Sequence, residues 1–437
     1  MGTLGIINLC GFADKMILNS PTIASTSKTA ENLREIEKQM LAQFFTTFCG
    51  KRSCDYEIIR KPLIINVGEK TLNITTHCIS FVKSENGKNI ICIHGANSGP
   101  ASFINMCKSL LDLGYNVHLI SLPGFGQSDV LDDILDLRDS SEIVEFYMDF
   151  LNKLINNVLQ ISPPTIIGRS FGGFLGGKFA EFYPKNVDRL ILINSIGMLS
   201  TIGESGMIWG IIFKLGFPNR FFRQFGETIN RMMYPSKMDD DALRKCWDNA
   251  QQTCEKNYGD CLVSKFITYN YYSAYWNQTS MRGFLNMGSR CALMWGYDDD
   301  IVPAHVARMC GNLTGANVYY MRGWHSPSNA DVLKAFEHFL RGQHEINCHI
   351  LSDDKMTAIE KISKSGIIEL DFSESKKNIE DLYEQMKIHI DKDIFGKIYK
   401  ISGDCVEEVV IDNTISFCQI KKILDAEFLS HSNVSDS

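Results

Sequence analysis

No two cysteines of this chain stand in C-x-x-C spacing. No stretch of 18 residues is uninterruptedly apolar, and no block of lysine and arginine breaks the scatter of its charges. Each absence removes a class. Without C-x-x-C, neither a thiolate zinc site nor a dithiol redox centre is supported. The 14 cysteines lie far apart, and several sit in apolar runs such as Asn89-Ile90-Ile91-Cys92-Ile93. A thiol in such a run behaves as a small buried apolar group. Reduced thiols imply a cytosol-facing compartment, so a cytoplasmic location is expected. Without a long apolar run, no transmembrane helix is expected. Lys and Arg number 44 against 51 Asp and Glu, a net charge of -7. That leaves no basic surplus to neutralise phosphates, and a nucleic-acid partner is not expected. The first 18 residues lack a charged n-region and carry Asp14 and Lys15, which argues against a cleaved signal. Ile6 stands where myristoylation after Gly2 wants Ser or Thr. There is no metal-ligand cluster and no phosphate loop, so neither a metal nor a cofactor is expected.

What is present fits an ordinary globular protein. The chain has 437 residues, 44% of them apolar and 22% charged, enough for one large domain with insertions or a core plus an appendage. Residues 1–55 read as a leader and an amphipathic helix at 29–49, with Leu33, Ile36, Met40, Leu41 and Phe44 near helical spacing. Residues 56–82 suggest an antiparallel hairpin. Strand and helix patterns then alternate up to about residue 200, which predicts right-handed βαβ units and a mostly parallel sheet covered on both faces. The alternation stops over 203–285, a stretch rich in aromatic residues and Met that reads as a helical cap. It resumes over 286–343. Residues 344–437 read as a small α+β appendage of unknown role, with strand-like runs at 366–372, near 395–401 and at 407–411 and a charged helix over 376–389. The predicted class is α/β.

The strongest single feature is Gly168-Arg169-Ser170-Phe171-Gly172, preceded by an apolar strand and followed by a helical pattern. G-x-S-x-G in that context makes a sharp, strained turn that exposes the serine hydroxyl. A glycine-rich turn with an incidental serine is the plainer alternative. Other residues agree with the first reading. His94-Gly95-Ala96 ends an apolar strand, and its turn presents backbone N–H groups. Those of Ala96 or Asn97, together with that of Phe171, are candidates for an oxyanion hole. His94 itself reads better as a brace for the loop than as a base. Gly124-Phe125-Gly126-Gln127-Ser128 forms a tight turn after the next strand. Trp295-Gly296-Tyr297-Asp298-Asp299-Asp300 follows another apolar strand. Three acids in a row also suit a solvated turn, but the register favours Asp299 as the acid, with Asp298 as the alternative. The stretch 191–203 contains no Asp or Glu, which removes the main competing location. His325, in Gly323-Trp324-His325-Ser326-Pro327, is poorly explained as packing and is the candidate base. The order Ser170, Asp299, His325 suits nucleophilic catalysis in which His325 takes the serine proton and Asp299 fixes the imidazole.

In the spacing of these four motifs, residues from about 60 to 342 resemble the α/β-hydrolase superfamily. The resemblance implies its fold, with a cap inserted after the sixth strand. A weaker likeness to the lysophospholipase and lipid-droplet co-lipase branch rests on the helix at 29–48, the Gly-Phe-Gly turn at 124–126 and Phe171-Gly172-Gly173-Phe174-Leu175. That branch tends to carry an H-x4-D motif. Here His325 is followed by Asp331, one residue too far, which argues against acyl transfer to a lysolipid. The stretch 207–218 is almost wholly apolar and is followed by Phe221, Phe222 and Phe225. It reads either as packing of the cap or as an acyl pocket or peripheral membrane surface. The expected activity is hydrolysis of a small-molecule or lipid ester through an acyl-enzyme on Ser170. The alternatives are a carbon–carbon bond hydrolase of the same fold, hinted at by the loop at 95–100, and a non-catalytic binding scaffold.

Overall fold

The computed structural model describes residues 55–95, 99–124, 128, 137, 140–161, 163–197, 281–299, 301–302, 304–325, 327, 329–341, 346–351, 397–402 and 405–411. The expected N-terminal helix, nearly all of the cap with its apolar stretch at 207–218, and the expected elements at 366–372 and 376–389 lie outside these residues, as do Ala96, Asn97 and the Phe125–Gln127 part of the glycine turn.

Among the described residues, eleven strands form one sheet: β1 (Asp55–Val67), β2 (Lys70–Val82), β3 (Asn89–Ile93), β4 (Asn116–Ser121), β5 (Thr165–Arg169), β6 (Leu190–Ile193), β7 (Cys291–Gly296), β8 (Asn317–Met321), β9 (Ile346–Leu351), β10 (Ile398–Ser402) and β11 (Cys405–Ile411). Their spatial order is β1-β2-β4-β3-β5-β6-β7-β8-β10-β11-β9. The run from β4 through β3 to β8 and on to β10 is parallel, while β1, β2 and β11 supply the antiparallel pairings. The expected opening hairpin is β1–β2, paired from Asp55–Val82 to Val67–Lys70.

The central strands are continuous apolar runs because both faces of the sheet are covered. With a side-chain period of two, each strand divides its residues between two cores. Ile91, Ile93, Ile166, Leu192, Leu293 and Trp295 enter one. Ile90, Cys92, Ile167, Ile191, Ile193 and Met294 enter the other. The first core is closed by α2 (Ser140–Lys153), α3 (Phe171–Phe182), α4 (Met281–Met287) and α5 (Ala304–Thr314), and the second by α1 (Ile104–Asp112) and α6 (Asn329–Arg341). Five cysteines in these layers, Cys78, Cys92, Cys107, Cys291 and Cys310, are free and buried. Burial raises Cys78 to about 12 and pushes Cys92 and Cys291 higher still, so these thiols stay protonated and unreactive.

Two boundaries differ from the sequence reading. The range 203–285 read as a cap ends inside α4, which packs on α3 so closely that a Cβ on Gly283 would overlap the Gly177 carbonyl. Core structure therefore resumes by Met281. Within 344–437, β10 pairs in parallel with β8, from Ile398–Val318 to Lys400–Tyr320, and continues the core sheet. Tyr399 stacks on Tyr319 at 4.7 Å, and the Tyr319 hydroxyl meets His338 Nδ1 of α6 at 2.9 Å. This part of the expected appendage is built into the core. Among the described residues, no helix is long and apolar enough to cross a membrane, and no cluster of three metal-binding side chains occurs.

Candidate active site

β5, β7 and β8 run in parallel, so the loops that follow them open on the same edge of the sheet. Ligands of open α/β sheets bind at that edge. The structure brings Ser170, Asp299 and His325 together there.

Ser170 sits between β5 and α3 with φ 50° and ψ −116°. That is a strained conformation for a residue with a Cβ, costing about 1–3 kcal/mol. Its surroundings enforce it. Ser170 N–H donates to Ile193 O at 3.0 Å, and Ser170 O accepts from Gly173 and Phe174 at 3.0 and 3.2 Å and from Ile196 at 3.3 Å. The strand can meet the helix this tightly only without side chains: a Cβ on Gly172 would overlap the Ile93 carbonyl. Gly95 is placed similarly, since a Cβ there would lie 3.1 Å from the Ser170 Cβ and 3.2 Å from Arg169 O. The His94-Gly95 turn is thereby pressed against Ser170. Phe171 heads α3, so its N–H lies at the positive end of a helix. Ala96, the other expected oxyanion donor, lies outside the described residues.

His325 is buried, at 6% exposure. Its Nε2 lies 3.0 Å from Ser170 Oγ and its Nδ1 lies 2.9 Å from Asp299 Oδ2. Because a carboxylate only accepts, Nδ1 carries the hydrogen and Nε2 is left to accept from the serine. Asp299 is 4% exposed. Its Oδ1 accepts from the backbone of Ile301 and Val302 at 3.0 and 3.1 Å. The ring N–H of Trp295 donates to Val302 O at 2.9 Å and ties this loop to β7. Asp298 faces solvent, so of these two acids Asp299 is the one turned to the imidazole. Asp300 lies outside the described residues.

His94 has the bracing geometry expected of it. It is fully buried, its Nδ1 donates to Gly95 O at 2.8 Å, and its Nε2 accepts from Leu122 N–H at 3.1 Å. Burial lowers its pKa to about 4, so it stays neutral and fixes the ends of β3 and β4 together.

Three side chains that the motifs did not single out for this site also frame it. Asn194, just after β6, donates from Nδ2 to Asp299 Oδ2. Its only sequence signal is an amide where a competing acid would have stood. Arg169 Nη2 lies 3.5 Å from His325 O. Asp331, fully buried, accepts a fork from Arg322 at 3.0 and 3.1 Å and the Arg322 backbone N–H at 3.2 Å. With the Gly323–Pro327 bridge, that fork closes the loop carrying His325. Asp331 is thus a structural clamp.

A family model described as the alpha/beta hydrolase fold matches residues 88–322. A 2-hydroxy-6-oxononadienedioate/2-hydroxy-6-oxononatrienedioate hydrolase of Comamonas testosteroni is 25% identical over 242 residues, covering 53% of this chain and 79% of that protein. A pimeloyl-[acyl-carrier protein] methyl ester esterase of Shewanella woodyi is 33% identical over 111 residues, covering 25% of this chain and 36% of that protein. Among solved structures, a membrane phospholipase A described as a bacterial virulence factor superposes with a TM-score of 0.50 at 16% identity, covering 78% of this chain and 97% of that one. The last likeness concerns the fold alone.

Proposed function

The chain belongs to the α/β-hydrolase family, whose model spans more than half of it, and on that premise we propose that it is a serine hydrolase acting on carboxylic esters. The observation that carries this reading is the unbroken line Ser170 Oγ, His325 Nε2, His325 Nδ1, Asp299 Oδ2, with steps of 3.0 and 2.9 Å on either side of the ring. In the proposed reaction, His325 Nε2 takes the Ser170 proton as Oγ attacks the acyl carbon. The C–O bond of the tetrahedral adduct breaks, the alcohol leaves with the proton from Nε2, and water, activated by the same nitrogen, then releases the acid. Asp299 holds the tautomer and faces the imidazolium as it forms. The proposed oxyanion donors are the Phe171 N–H and that of Ala96 or Asn97. A small-molecule or lipid ester as substrate, a cytoplasmic setting and peripheral membrane contact through residues 203–285 belong to this proposal.

A second reading has its own support. The Comamonas relative, matched over 79% of its length, is a 2-hydroxy-6-oxononadienedioate/2-hydroxy-6-oxononatrienedioate hydrolase, and this supports the carbon–carbon alternative for the present chain. The two readings separate in one experiment. Purified protein is offered p-nitrophenyl esters from acetyl to decanoyl, and in parallel a 2-hydroxy-6-oxo-dienoate whose chromophore is lost on cleavage. The ester reading predicts p-nitrophenol release with kcat/KM rising along the chain, each buried methylene contributing about 0.8 kcal/mol at most. Dienoate cleavage with no ester turnover would replace it by the carbon–carbon reading. Turnover of neither would favour a binding scaffold.

A further inference from the structure

We propose that Asn194 is a positioning residue for the acid–base pair, its amide holding the Asp299 carboxylate in the orientation His325 needs. The proposal rests on reading Ser170, Asp299 and His325 as the reacting triad. Asn194 is the first residue beyond β6 and is wholly buried. Its backbone N–H donates to Met294 O of β7 at 3.0 Å, and its φ of 46° turns the chain through the left-handed region. Asn adopts that region more readily than most residues with a Cβ. From this turn Nδ2 donates to Asp299 Oδ2, the same oxygen that accepts from His325 Nδ1. It also lies 3.4 Å from the carbonyl of Trp324, the residue before the base. One side chain thus touches the acid and the base loop at once.

The chemistry fixes which way the amide points. The carboxylate and the Trp324 carbonyl only accept, so the NH2 end must face them. Oδ1 is then left buried with no hydrogen-bond partner among the described residues. An apolar side chain would fill the space without that cost, so packing alone does not account for an amide here. With Oδ1 of Asp299 held by Ile301 and Val302 and Oδ2 by Asn194 and His325, rotation of the carboxylate breaks at least one bond in either sense. A neutral donor performs this without cancelling the charge that faces the imidazolium. A lysine or arginine would cancel it, and an acid would repel it.

The test compares Asn194→Ala and Asn194→Asp with the wild type by steady-state hydrolysis of the best p-nitrophenyl ester, by rate of fluorophosphonate labelling and by thermal unfolding, between pH 5 and 8. Loss of a hydrogen bond to a charged group predicts that Asn194→Ala lowers kcat roughly ten- to a hundredfold with KM close to wild type. The near-isosteric aspartate can donate only when protonated. The activity ratio of Asn194→Asp to wild type therefore rises as pH falls, while that of Asn194→Ala does not. A residue that only fills space would give a pH-independent ratio in both variants, or wild-type kcat in both, and either result overturns the proposal. Absence of labelling in the wild type would instead bring down the triad reading, and this inference with it.

Discussion

Asp299 accepts hydrogen bonds from Ile301, Val302, Asn194 and His325 while being 4% exposed, whereas Asp298 beside it faces solvent. Four donors around a buried carboxylate hold its charge and its plane together, which an acid that orients an imidazole requires. Asp299→Asn should lower kcat by about ten-thousandfold, because the amide can bond the wrong tautomer of His325. Asp298→Asn should leave turnover near the wild-type rate. Parallel kinetics on the two variants check this, and a larger loss at Asp298 would show that the register is off by one. Ser170 and His325 were legible in the sequence because glycines punctuate the turns that carry them. Asp299 was legible only by counting from Gly296 and Pro303. Asn194 was not legible in this role, because its function arises from a partner 105 residues away. As an isolated residue after an apolar strand, it reads as a turn former.

At the scale of elements, β3 and β4 are joined by more than their ladder. His118 of β4, 4% exposed, lies between Ser80 Oγ of β2 at 2.9 Å and Asn89 Oδ1 of β3 at 3.1 Å. Together with His94 it forms a polar seam along β3 and β4. Burial lowers both histidines to about 4 from an ordinary 6.5. The unfolded chain therefore binds protons at a pH where the folded chain does not. This contribution to stability is fully present above pH 6.5 and is lost as pH falls towards 4. Denaturant unfolding at pH 7 and pH 5 should differ by about 2 kcal/mol per histidine. His118→Gln should lose less stability over that interval than the wild type. Equal pH dependence of the two proteins would contradict the assignment. The core strands were legible as apolar runs, and β3, β7 and the β1–β2 hairpin fell where periodicity put them, whereas β9 at Ile346–Leu351 was not expected. The polar seam was not, because histidines in strands give no signal until their neighbours across the ladder are known.

For the whole molecule, the decisive arrangement is the strand order, which sets β5, β6, β7 and β8 side by side and parallel so that the distant loops after β5, β7 and β8 meet at one edge. Alternation of strand and helix announced a parallel sheet, and the order of the motifs announced the site. The attachment of β10 to β8 through Tyr319, His338 and Tyr399 was hidden, because a short strand's partner is set by a surface that its own sequence does not describe. In the proposed mechanism this fold holds Ser170, in its strained turn, as the nucleophile. The most direct test is intact-mass and peptide mapping after treatment with a fluorophosphonate at neutral pH. One adduct per wild-type chain is expected, located on Ser170, and none on Ser170→Ala, which should still unfold at the wild-type temperature. An adduct on another residue, or one that persists in Ser170→Ala, would contradict it.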